Sequence, residues 1–188
     1  FIMLMVGTRV GANSGELTCT TLRVVDAEGN VQVLLGRDAG GGLVKTYSPE
    51  GKLQVFLGAG TNGEGAVGTL SPEGKPLVIL GANTDGGRVW TLSPEGKKMV
   101  ALGATKDGGG AVSTFSSRGD VLVRLSAIRD GKGAVTTYSS EEKTLVGLGA
   151  TTEGEGVVTT FSPEGKELVT LTATLSGEGG VWTTTKSG

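Results

Sequence analysis

"TLSPEGKKMVALGA", Thr91 to Ala104, sets a proline, a glycine and three charges ahead of a run of small apolar residues. Near-copies stand upstream as "TLSPEGKPLVILGA", Thr69 to Ala82, and downstream as "TFSPEGKELVTLTA", Thr160 to Ala173. In each, a Ser-Pro-Glu-Gly-Lys segment lies between two alternating runs. Proline presets the first turn position, and glycine takes the positive φ that strains other residues. That combination predicts a β-hairpin.

The phrase is one beat of a longer period. Valine recurs at Val44, Val67, Val89, Val112, Val135, Val158 and Val181, at intervals of 22 or 23 residues. Threonine follows two residues later, from Thr46 and Thr69 to Thr160 and Thr183. Gly29, Gly51, Gly74, Gly96, Gly119, Gly165 and Gly188 keep the same phase, with Glu142 in the slot between Gly119 and Gly165. Residues 21–188 therefore read as a β-repeat domain of seven full units and a partial eighth, after an N-terminal segment, 1–20. Each unit is strand, tight turn, strand and a longer, looser glycine-rich turn such as "TKDGGG", Thr105 to Gly110.

Alternation sorts the side chains onto two faces. Val67 and Thr69 share a face of the first strand; Val78, Leu80 and Ala82 share one of the second. The positions between them vary: Lys45, Gly68, Trp90, Ser113, Thr136, Thr159 and Trp182 fill one slot, and Phe56, Ile79, Ala101, Arg124, Gly147 and Thr170 another. Constancy marks the face expected to pack. Whether the constant sets align across the hairpin depends on loop length, which leaves the register open.

Composition agrees with strands and turns. Glycine supplies 35 of 188 residues, against a usual share of about 7%, and no long stretch has helical spacing. Two architectures fit: an antiparallel meander, with equivalent turns recurring roughly 9.6 Å apart, and a single-chain solenoid, with coils roughly 4.8 Å apart. Stacking Glu50, Glu73 and Glu95 at the shorter distance costs more repulsion, which favours the meander. A meander cannot bury its small-residue face alone, so three sheets facing inward, a trimeric β-prism, are the expected assembly.

The unit "RVVDAEGNVQVLLG", Arg23 to Gly36, resembles the V-x-D-x-x-G…L-G units of uncharacterised exported bacterial repeat proteins. It is also similar to repeats of trimeric phage tail-fibre shafts. The resemblance implies a rod-like scaffold, commonly at the cell envelope, and brings no catalytic residues with it.

The chemistry is narrow. Histidine is absent and Cys19 is the single cysteine, which removes Ser–His and Cys–His catalysis and any internal disulfide. A net charge of −2 gives no basic face for nucleic acid. Asp85, Asp107, Asp130 and Glu153 sit beside glycines, but the acid precedes the glycines and the period differs from calcium-binding nonapeptides; turn chemistry explains them, and no cofactor or metal is expected. Phe1 to Val6 is apolar but short of the roughly 20 residues that span a bilayer; it reads as the end of a membrane anchor or signal segment, or as a strand or tail packed on a partner.

The chain thus reads as a non-enzymatic structural protein, a rod or shaft linking other components in a bacterial envelope, a fibre or a larger intracellular assembly. The second reading is a binding module for a glycan or protein. Its candidate contacts are Trp90 and Trp182, which share a variable slot, and Arg118, Arg124 and Arg129, where repeats five and six abandon the consensus and turn locally basic.

Overall fold

The computed structural model describes residues 11–184 apart from 14–15, 61–62, 128–130 and 174–175. Among the described residues every extended element is a β-strand and none is an α-helix. A short hairpin of β1 (Gly11–Asn13) and β2 (Glu16–Thr18) precedes the repeats. Cys19 lies just past it, outside the strands and half-buried. The chain divides into two compact units, Phe1–Gly96 and Lys97–Gly188. Phe1 to Val6 lies outside the described residues.

The first unit carries β3 (Leu22–Val25), β4 (Val31–Asp38), β5 (Gly41–Tyr47), β6 (Leu53–Ala59), β7 (Gly65–Leu70), β8 (Pro76–Asn83) and β9 (Gly86–Leu92). The second carries β10 (Lys98–Ala104), β11 (Gly110–Phe115), β12 (Val121–Ala127), β13 (Gly133–Tyr138), β14 (Thr144–Ala150), β15 (Gly156–Phe161), β16 (Glu167–Ala173) and β17 (Gly179–Thr183). Within each unit every strand pairs antiparallel with the next in sequence. This is the all-β meander of tandem hairpins that the repeat predicts.

The first turn has one geometry throughout. In Ser48–Lys52 the Ser48 carbonyl accepts the Gly51 N–H at 2.9 Å, and the Ser48 N–H donates to the Lys52 carbonyl at 2.8 Å. Gly51 sits at φ +76°. This is a type I turn closed by a left-handed residue, which twists in the same sense as the flanking strands. Glu142 takes that place in its own turn at φ 59°, donating to the Ser139 carbonyl at 3.0 Å.

The second turns are not looser, as the sequence suggests. Gly60–Glu64, Thr105–Gly109 and Thr151–Glu155 repeat the same paired hydrogen bonds, with Gly63, Gly108 and Gly154 at positive φ. Those after β4 and β8 are shorter still, two residues between the paired ends Asp38–Gly41 and Asn83–Gly86. Threonine or asparagine side chains tie them: the Thr105 hydroxyl accepts the Gly109 N–H at 3.1 Å, and the Asn83 side-chain oxygen accepts the Gly86 N–H at 3.0 Å.

The register left open by the sequence is set by a recurring β-bulge. After the first turn one residue of the returning strand falls out of step: Gln32, Gln54, Leu77, Leu122, Leu145 and Leu168. An extra residue shifts pairing by one and swaps the faces beyond it. Here the shift brings Val67 opposite Leu80 and Thr69 opposite Val78, and the preceding turn brings Val55 opposite Thr69. All the constant positions thereby share one face.

Candidate functional site

The constant face consists of straight cross-strand rows. In the second unit one row reads Val100, Thr114, Val123, Thr137, Val146, Thr160, Val169, Thr183, alternating valine and threonine. Beside it runs Leu102, Val112, Leu125, Val135, Leu148, Val158, Leu171, Val181. The first unit repeats both from Val33 and Leu35 onward, ending on Thr91 and Val89. Neither row holds a charge.

The sequence marks this face as the one that packs and a lone meander as unable to bury it; in the single chain it is open. Leu80 and Leu125 are each 53% exposed, with Leu57, Leu102 and Leu148 close behind. A single-layer sheet has nothing to lay over them. Among the described residues Leu43, on the opposite face, is the sole buried hydrophobic side chain.

The variable face covers itself. The two variable slots merge into one row in each unit: Arg23, Leu34, Lys45, Phe56, Gly68, Ile79, Trp90 in the first, and Ala101, Ser113, Arg124, Thr136, Gly147, Thr159, Thr170, Trp182 in the second. Large rings lie over neighbouring glycines. The Phe56 ring fills the space a Cβ at Gly68 would need, with Cε1 only 2.2 Å from that point, and the Trp182 ring does the same for Gly180, Cη2 at 2.4 Å.

Of the candidate contacts, Trp90 is half-buried in β9 opposite Ile79, with the Arg88 guanidinium 4.2 Å from its ring centroid. That cation–π stack engages one face of the ring. Trp182 is 47% exposed. It lines an open groove of about 800 Å³ with Glu153, Glu155, Glu167, Thr170 and Thr172. Arg124 shares that row and face but lies on β12, five strands from β17. Arg118 sits in a first turn, its Nε 3.2 Å from the Asp120 carboxylate. Arg129 lies outside the described residues.

The turns carry the organised electrostatics. Ser71 is buried, and its hydroxyl oxygen accepts the N–H groups of Glu73 and Lys75 at 3.2 and 3.4 Å. Hydrogen bonds from the serine hydroxyl and from the residue's own amide hold the Glu50, Glu73 and Glu164 carboxyls below their ordinary value. The field of lysine adds to this, and it crosses between turns: Lys52 acts on Glu73 and Lys143 on Glu164. Lys132 likewise donates to the Thr151 and Thr152 carbonyls of the next loop. The Thr152 hydroxyl is the main influence lowering Glu153.

Repeat five keeps this arrangement with its signs reversed. Arg118 and Asp120 replace the consensus glutamate and lysine, and the Asp120 carboxylate also accepts the Ser116 hydroxyl at 3.0 Å. The departure is a compensated exchange inside one turn. Among the described residues no three acidic or cysteine side chains are grouped to hold a metal ion.

Sequence reasoning finds the variable face and both tryptophans. It misses the glutamates of the Trp182 groove, because Glu153, Glu155 and Glu167 belong to different turn and strand positions and line one groove only through the pairing of β15, β16 and β17. Neither a family model nor a curated protein matches the chain.

Proposed function

We propose that this chain is a non-enzymatic structural repeat protein that assembles or links other components, in a bacterial envelope, a fibre or a larger complex. One observation carries the reading: repeat after repeat preserves uncharged rows of Val, Thr and Leu that the single chain leaves open. Conserving an apolar surface through every unit has a use in assembly, since open apolar patches larger than a few hundred Å² mark interaction sites. A trimeric prism with this face inward buries the rows; closure into a single-chain solenoid is the competing way to bury them.

Excision of one unit, Gly133 to Glu155, tests the structural role, because Lys132 then meets Gly156 in the phase it had with Gly133. A scaffold keeps its strand content by circular dichroism, a cooperative melt and its assembly. A discrete activity or binding event that vanishes with this unit, in a chain still folded, overturns the reading.

The second reading, a binding module, is favoured by the Trp182 groove. An exposed ring in a groove lined by glutamates suits a cationic peptide side chain or the ring face and hydroxyls of a sugar. Trp182→Ala in a folded chain abolishes capture of such a ligand if this reading holds and leaves assembly unchanged if the first one does.

A further inference from the structure

We propose that the constant face is an interface between copies of this same chain, an inference that rests on the structural reading above. The surface is self-complementary in relief. In the row Leu102, Val112, Leu125, Val135, Leu148, Val158, Leu171, Val181, tall leucines alternate with short valines. Leu102, Leu125 and Leu148 stand exposed, whereas Val112, Val135 and Val158 between them are half-buried. The face is therefore ridged, with ridges two strands, or about 9.6 Å, apart. A copy offset by one strand, about 4.8 Å, seats its leucines over valine troughs along the whole row. A partner without this period matches at one ridge and clashes or gapes at the next.

Charge and area agree. Identical faces meeting place like beside like, which is ruinous for charged surfaces and harmless here, because neither row carries a charge. The charges of each sheet lie in the turns and on the variable face, at Lys45 and Arg124 among others, except Arg37, which takes the alanine slot at the margin of the constant face in β4, beside the two rows and outside them. Seven or eight strands of about 20 Å at 4.8 Å spacing present roughly 700 Å² per unit, near the roughly 800 Å² per partner of a stable interface.

The test uses the full chain with Cys19→Ser. Light scattering during size exclusion at tens of micromolar gives the mass. Leu125→Cys and Arg124→Cys, adjacent residues on opposite faces and both exposed in the single chain, are then labelled with a maleimide under native conditions. A mass of two or three copies, with the thiol at position 125 labelled at least about tenfold more slowly than the one at 124, is the expected result. A folded single-copy mass overturns the proposal. So does a multiple mass with equal labelling, which puts the contact elsewhere. Both outcomes leave the scaffold reading standing, to be judged by unit excision.

Discussion

Leu125 and Arg124 are neighbours in the chain, both exposed, and lie on opposite faces of the sheet. Leu125 belongs to a row built only of leucine and valine, and it stands 53% exposed. Arg124 belongs to a row that runs from Ala101 through serine, arginine, threonine and glycine to Trp182. The uniform face is bare, and the heterogeneous face shields itself with Phe56 over Gly68 and Trp182 over Gly180. A face that must match a regular partner is held to one pattern at every repeat. A face that closes with its own side chains has only to fill local gaps, and many combinations do so.

The sharpest way to break this comparison is a charge on each face. Leu125→Lys places an ammonium where the proposed interface excludes water; removing such a charge from solvent unpaired costs several kcal/mol. Association should be lost, read as a fall in mass to one copy or a melting temperature lowered by about 10 °C or more. Thr136→Lys, on the variable face, should stay within roughly 0.5 kcal/mol of the parent. Equal effects would erase the distinction.

Phe56→Ala tests the self-covering face. A buried phenylalanine truncated to alanine costs about 3–5 kcal/mol; for this half-buried ring, roughly 1–2 kcal/mol is expected, as a shift in the urea midpoint. No loss would mean the ring over Gly68 contributes nothing to the fold.

Glu142→Gly comes next. A left-handed conformation costs a residue with a Cβ about 1–2 kcal/mol, and glycine relieves it, so this single change should raise stability by about 1 kcal/mol. The reverse change, Gly74→Glu, moves a consensus turn at φ +79° in the opposite direction by a similar amount. Opposite signs at equivalent turns are the outcome to check by thermal melts.

The smallest effect is that of pH. The folded carboxyls of Glu50, Glu73, Glu153 and Glu164 lie below their ordinary value of 4.5. Their contribution is complete above that value and is lost as pH falls through the lower folded ones. Urea midpoints measured from pH 6 down to 3 should therefore decline only in the acid limb. Ser71→Ala should flatten the part owed to Glu73, because the serine hydroxyl is the leading cause of its shift.

Much of this was legible in the residues. The Ser-Pro-Glu-Gly-Lys segment specifies its turn by steric rules local to five residues, so the glycine slots at Gly51, Gly74, Gly96, Gly119 and Gly165, and the anomaly at Glu142, are where the period puts them. The hairpins and their antiparallel pairing follow from the same turns. The bulge was not legible, since Leu77 or Leu145 looks like any strand residue until its partner strand is in place. The Trp182 groove was equally hidden, because three strands must pair before its lining residues share one surface.

By itself the sequence determined the repeat, the turn type and which positions must stay alike, because each depends on a few adjacent residues and on counting. Only the tertiary structure decided that the constant positions gather on one face and that this face is the open one. Register is a property of paired strands, and exposure depends on what lies across the sheet from a residue; neither is written at the residue itself. Constancy in the sequence records that a surface is constrained. In the proposed assembly, the partner that imposes the constraint is a second copy of the chain.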